Sequence, residues 1–146
     1  MMDKINQEIL AILQKDGRIS FVDLAKKVHL SAPAVTERVK KLEDVGVITG
    51  YRACVNLEQL GYPIEAIVQA KVFLGKEAIF IQLSKSRPEI IECYNVTGDK
   101  AFLLKVIVPT MSKLDALLEQ FSLISETSTM VVLSHVVADA VVQAVP

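Results

Sequence analysis

The chain has 146 residues, 51% hydrophobic and 23% charged, with a formal net charge of −1. This length suits one ordinary domain or two small ones, and the balance excludes bulk disorder and a histone-like polycation. The longest apolar stretch, residues 130–142, is interrupted by Ser134, His135 and Asp139, and falls short of the roughly 20 residues a membrane helix needs. The opening MMDKINQEIL has no basic-then-apolar export pattern, so a cytoplasmic protein with no membrane partner is expected. Cys54 and Cys93 stand apart, with neither metal-ligand spacing nor a disulfide framework, and are expected as packed thiols. No cofactor or metal is expected.

The first fifty residues carry eight basic and seven acidic side chains, and the remainder eight and ten. The asymmetry sharpens between Leu24 and Lys41, where Lys26, Lys27, Arg38, Lys40 and Lys41 face a lone Glu37. Three helices are predicted here. Ile5, Ile9, Ile12 and Leu13 mark one face of a helix over residues 3–15, ended by Gly17. Ser20 caps the second helix, with Asp23 at its third position, and Phe21, Leu24, Ala25 and Val28 form its apolar stripe. Ser31 caps the third. Pro33 falls in its first turn, Val35, Val39 and Leu42 face inward, and Gly46 stops it. About three residues separate the second and third helices, the tight connection of a helix-turn-helix. With the stripe inward, Pro33, Thr36, Glu37, Lys40 and Lys41 point outward and Arg38 sits on the flank. This suits a recognition helix. A three-helix protein-interaction module remains open on spacing alone.

Residues 47–57 read as extended, and Leu60-Gly61-Tyr62-Pro63 is a turn signal. Domains are therefore expected at residues 1–50 and 61–146, joined by a linker over 51–60. In the second domain, residues 64–74 alternate as a strand with Ile64, Ala66, Val68, Ala70, Val72 and Leu74 on one face. Its other face is partly apolar. A helix over 76–87, strands over 91–97 and 101–109 joined by Gly98-Asp99-Lys100, a helix over 112–123 and a strand over 129–137 complete the pattern. The expected class is α+β: a three-helix, winged-helix-like domain followed by a ferredoxin-like βαββαβ domain. Its two helices would cover one sheet face, leaving the other for a second copy of the chain.

The order and spacing of several short signatures resemble the Lrp/AsnC (feast/famine) transcriptional regulators. In the first domain they are Ile9-Leu10, Asp16-Gly17-Arg18, Leu24-Ala25, Leu30-Ser31, Arg38-Val39, Leu42-Glu43, Gly46-Val47-Ile48 and Gly50-Tyr51. In the second they are Leu60-Gly61, Val96-Thr97-Gly98-Asp99, Leu103-Leu104-Lys105-Val106 and the strand from Thr129. The resemblance implies a homo-oligomer: a dimer joined through effector-domain sheets, assembled further into tetramers or octamers. It also implies paired heads on double-stranded DNA and amino acids as common effectors. The candidate DNA-binding residues are Lys26, Lys27, Ser31, Pro33, Thr36, Glu37, Arg38, Lys40 and Lys41. The effector pocket implied between dimers maps to Gly98, Asp99, Ala101, Met111, Met130, Val131 and Val132. One position departs from the family: amino-acid-responsive members commonly carry a second acidic residue where this chain has Ala101, and an acidic group there would help hold a ligand's ammonium.

Other functions are weighed against this reading. An architectural protein that bends or wraps DNA without an effector would share fold and DNA face. An enzyme resembling haem-precursor decarboxylases would need an acid-base group in the second domain, where only His135 and Tyr94 stand out. There is no triad, metal cluster, phosphate loop or carboxylate pair to support catalysis, so no enzyme is expected.

Overall fold

The computed structural model describes residues 2–145. They form two compact units: residues up to Cys54 together with those from Val137 on, and residues Val55–Val136. The division thus falls inside the expected linker, while the final segment groups with the first unit.

The first unit holds α1 (Lys4–Lys15), α2 (Phe21–Lys27) and α3 (Ala32–Asp44). Each begins at a side-chain oxygen that accepts a free backbone N–H: Asp3 from Asn6, Ser20 from Asp23 and Ser31 from Ala34. Ile9, Leu13, Leu24, Ala25, Val28, Val35, Val39 and Leu42 form the core. Phe21, expected on the buried stripe, is 39% exposed. It is the first residue of α2.

Two helix ends share one device. At the end of α3, the Val47 N–H donates to Leu42 O at 2.9 Å and the Gly46 N–H to Glu43 O at 2.9 Å, with Gly46 at φ +75°. This is a left-handed Schellman stop, where glycine meets no Cβ penalty. At the end of α2, the Leu30 N–H donates to Ala25 O at 3.0 Å, but the left-handed residue is His29, at φ +55°. Leu30 is then partly buried against the core, which ties the turn to the packing beneath it.

The second unit runs β1 (Ile64–Val72), α4 (Glu77–Ser86), β2 (Ile90–Asn95), β3 (Phe102–Val108), α5 (Met111–Ser122) and β4 (Ser125–Val131). The sheet order is β2-β3-β1-β4, antiparallel throughout, which is the ferredoxin-like arrangement. Ala66, Val68 and Ala70 of β1 share a buried face with Phe102, Leu104 and Val106 of β3. Phe80 of α4 and Leu114, Leu117 and Phe121 of α5 close over it. The Phe80 ring lies 4.9 Å from Phe102 and 5.1 Å from Phe121, the latter edge-on.

Two expectations change. The last strand begins at Ser125, not Thr129, and ends at Val131. The chain reverses directly after α5: the Ile124 N–H donates to Phe121 O, and the buried Ser125 hydroxyl donates to the same carbonyl at 2.7 Å. Polar residues 125–128 carry no strand signal in the sequence because β4 is an edge strand and needs no apolar outer residues. The apolar Leu133, Val136 and Val137 lie past the sheet and are exposed. Both cysteines are exposed rather than packed. Cys54 lies in the strandless segment after α3 and Cys93 on edge strand β2, where a second layer covers little. Partial burial still pushes the Cys93 thiol up.

Phe80→Ala removes the ring that joins α4, α5 and β3, and should cost about 3–5 kcal/mol in denaturant unfolding of the second unit. At residue 29, glycine should be more stable than alanine by about 1 kcal/mol, the left-handed penalty. Valine should be worse than either, since its branched Cβ crowds that conformation most. Calorimetry of the three full-length variants reads the order.

Candidate nucleic-acid interface

The inward stripe of α3 determines what α3 presents. Val35 and Val39 are fully buried and Leu42 nearly so, which turns Pro33, Thr36, Glu37, Lys40 and Lys41 outward, all exposed. Ser31, Lys26 and Lys27 are exposed as well. Two of the hydroxyls have local roles. Ser31 caps α3, and Thr36 donates to Ala32 O at 2.8 Å within the helix. Lys26 lies 3.8 Å from Asp23, a pair so exposed that it leaves the ammonium available to solvent or to phosphate. Among the described residues, Lys40 and Lys41 have no carboxylate within ion-pair distance, and Arg38 is the one cation of α3 that has.

Arg38 is placed differently from its neighbours. Its Nη1 donates to Asp3 Oδ2 at 2.7 Å and to Asn6 Oδ1 at 2.9 Å. The guanidinium bond, followed by the Asn6 backbone N–H, holds the Asp3 carboxyl below the usual carboxylate range. Sequence reasoning put Arg38 on the flank of α3 but had no signal for its partners, because α1 and α3 meet only in the tertiary fold. Tyr51 is a second such case. Its hydroxyl donates to Glu43 Oε1 at 2.8 Å. Partial burial, with that carboxylate, pushes its pKa up to about 12, so it stays a neutral donor anchoring the segment after α3.

In the second unit, the expected effector residues fall into two groups. Gly98, at φ +106°, and Asp99 are exposed in the β2–β3 turn, which the Val96 N–H closes onto Ala101 O at 2.7 Å. Asp99 Oδ1 accepts from the Lys100 N–H. Met111 opens α5 and Met130 and Val131 end β4, all exposed, with Val132 partly covered. β3 starts beside the end of β1, with Phe102 opposite Ala70, whereas β4 finishes beside its start, with Met130 opposite Ile67. β1 also lies between the two strands. At about 3.3 Å per residue and about 4.8 Å per strand, the turn and the end of β4 are at least about 15 Å apart. One chain therefore does not bring the two groups together.

The residues weighed for catalysis are otherwise occupied. His135 lies beyond β4, its Nε2 2.8 Å from Glu65 Oε2, and Lys105 Nζ lies 3.4 Å from the other Glu65 oxygen. The Tyr94 hydroxyl bonds to Glu92. Among the described residues no three His, Cys, Asp or Glu side chains converge as a metal site, and no helix is long and apolar enough to cross a membrane.

Comparison with known proteins agrees with this layout. The AsnC-type helix-turn-helix domain matches residues 2–43, and the Lrp/AsnC ligand binding domain matches residues 65–142. The chain is 41% identical over 142 residues to the leucine-responsive regulatory protein of Haemophilus influenzae, covering 92% of this chain and 86% of that one. The solved structure of LrpC from Bacillus subtilis superposes with a TM-score of 0.88 at 32% identity, covering 93% of this chain and 97% of that one. A Neisseria meningitidis transcriptional regulator in complex with L-Met superposes with a TM-score of 0.89 at 25% identity, covering 97% and 96%. The chain belongs to the Lrp/AsnC family and is a sequence-specific DNA-binding transcription factor.

Proposed function

We propose that this regulator reads DNA through the outward face of α3 and responds to a small ligand of the amino-acid class bound between copies of the chain. The unpaired cations of α3 support the first part. Thr36 and Glu37, early in the helix and short, suit base edges; Lys40 and Lys41, compact flexible charges, suit phosphates. Ser31 and Pro33 lie at the α3 N-terminus, where the positive end of the helix dipole favours a phosphate. Lys26 and Lys27 stand in the last turn of α2, ready to approach the adjacent strand backbone. Lys40→Ala or Lys41→Ala should weaken binding to every duplex and lower the salt slope by about one unit. Loss confined to a preferred duplex would contradict the phosphate assignment.

The uncovered sheet face supports self-association. Ile67, Leu103 and Lys105 lie on the side of the sheet away from α4 and α5, and none is fully exposed. A partner sheet would cover them. Leu103→Glu should shift sedimentation at micromolar concentration towards monomer while the circular dichroism stays native. An unchanged oligomer would place the contact elsewhere.

The separation of the two effector groups carries the proposal for a shared pocket. Gly98, Asp99 and Ala101 from one copy would meet Met111 and Met130–Val132 from another. Turn N–H groups would hold a carboxylate, and the methionines would give an adaptable apolar wall. The similar Neisseria protein is in complex with L-Met, which favours an amino acid. Ala101 favours a second reading, an architectural protein with no effector, because the site has Asp99 but lacks the second acid that would help hold an ammonium. A thermal-shift screen of amino acids and keto acids, with DNA binding retested for each hit, separates the two. Gly98→Leu should abolish both the ligand shift and the ligand's effect on assembly, because φ +106° and the open turn leave a leucine strained and projecting. A hit that binds this variant with unchanged affinity would refute the pocket.

A further inference from the structure

We infer that Arg38 is a positioning residue of the DNA reader: it orients α3 by clamping it to the start of α1, and it does not contact DNA. The inference rests on the DNA-reading role of α3 and separates one arginine from the cations around it.

Arg38 lies in a groove of about 360 Å3 between the start of α1 and α3, bounded by Asp3, Asn6, Glu37, Lys41 and Val45. Within it the guanidinium reaches two groups one helical turn apart on α1, at 2.7 and 2.9 Å. Both bonds have a defined direction, whereas the aliphatic contacts of Val35, Val39 and Leu42 set which face of α3 is buried but, being non-directional, hold its last few degrees of rotation less closely. α3 packs chiefly on α2, so a polar tie to α1 supplies a second, independent constraint. Asp3 is committed from both oxygens: Oδ1 accepts the Asn6 N–H that starts α1, and Oδ2 accepts from Arg38. Asn6, only 7% exposed, presents its Oδ1 to the same guanidinium nitrogen. The charge of Arg38 is thereby neutralised locally, while those of Lys40 and Lys41 are not. A rotation of α3 by a few degrees moves Thr36 and Glu37 relative to base edges, so the clamp acts on sequence preference rather than on general affinity for phosphate.

The two roles for Arg38 predict opposite effects of changing its partner. Asp3→Asn keeps an oxygen able to cap α1 but removes the charge that holds Arg38. Full-length protein is tested on a duplex selected by the unaltered protein from a random pool, and on an unselected duplex. Binding is measured over a salt series, with circular dichroism confirming the fold. A clamp predicts that Asp3→Asn and Arg38→Gln each lower affinity for the selected duplex about fivefold, near the upper end of what a partly exposed ion pair contributes. Affinity for the unselected duplex should change little, and the salt slope should stay the same. Arg38→Lys should resemble Arg38→Gln, because the shorter side chain does not bring its ammonium to the position from which Nη1 reaches both Asp3 and Asn6. A phosphate contact predicts the reverse: Asp3→Asn frees the arginine and tightens binding to both duplexes, Arg38→Gln lowers the slope by about one unit, and Arg38→Lys behaves as unaltered protein. That pattern would overturn the inference. So would lowered thermal midpoints with unchanged affinities, which would leave Arg38 a purely structural residue. If the unaltered protein selects no duplex, the DNA reading itself fails and the inference falls with it.

Discussion

The DNA-reading unit depends on how sharply the chain turns between α2 and α3. α2 ends at Lys27 and α3 starts at Ala32, so the turn must end one helix, reverse direction and cap the next within four residues. The Leu30-to-Ala25 backbone bond does the first two, at the cost of forcing His29 into the left-handed region. The Ser31 hydroxyl does the third. Since Leu30 packs into the core from this turn, the angle between the helices is held by covalent geometry, a backbone bond and burial together. The outward direction of Thr36, Glu37, Lys40 and Lys41 follows from that angle and from the buried stripe behind them.

The effector unit obeys a different constraint. Two helices on one face of a four-stranded sheet bury Phe80, Phe102 and Phe121 against small β1 residues, Ala66 and Ala70. The small residues let the rings sit close to the sheet, which is how a chain without tryptophan fills this layer. The opposite face keeps Ile67 and Leu103 only half covered, alongside the Glu65–Lys105 ion pair and the His135 ring bonded to Glu65. A face of this mixed character suits association, since the apolar patches supply burial and the charges supply register. The strand order also separates the turn at Gly98 from the end of β4, so the proposed pocket requires a second copy of the chain.

Helix starts, helix stops, the two apolar stripes and the βαββαβ order were legible in the sequence, because each rests on local chemistry: a cap at Ser20 or Ser31, a glycine at residue 46, or a period of two or 3.6. The outward face of α3 was legible for the same reason, as the complement of its stripe. β4 was misplaced because an edge strand with polar residues on both sides carries no periodic signal, while the apolar residues beyond it imitate one. The cysteines were misjudged because burial depends on what the fold lays over a residue, little over the strandless segment at Cys54 or the edge strand at Cys93, and not on residue type alone.

The sequence by itself determined the class of fold, the family and the existence of a cationic helix that could face DNA. Those properties follow from periodicity, capping and the order of short signatures along the chain. Only the tertiary structure decided which cations remain free and which are committed. Lys40 and Arg38 look alike in the sequence, two residues apart, yet one faces solvent and the other is bound to Asp3 and Asn6 across 35 and 32 residues of chain. The same holds for the candidate effector residues, whose division between opposite ends of the sheet follows from the β2-β3-β1-β4 order. Contacts between residues distant in the chain depend on how helices cross and strands align, and no local pattern records that geometry.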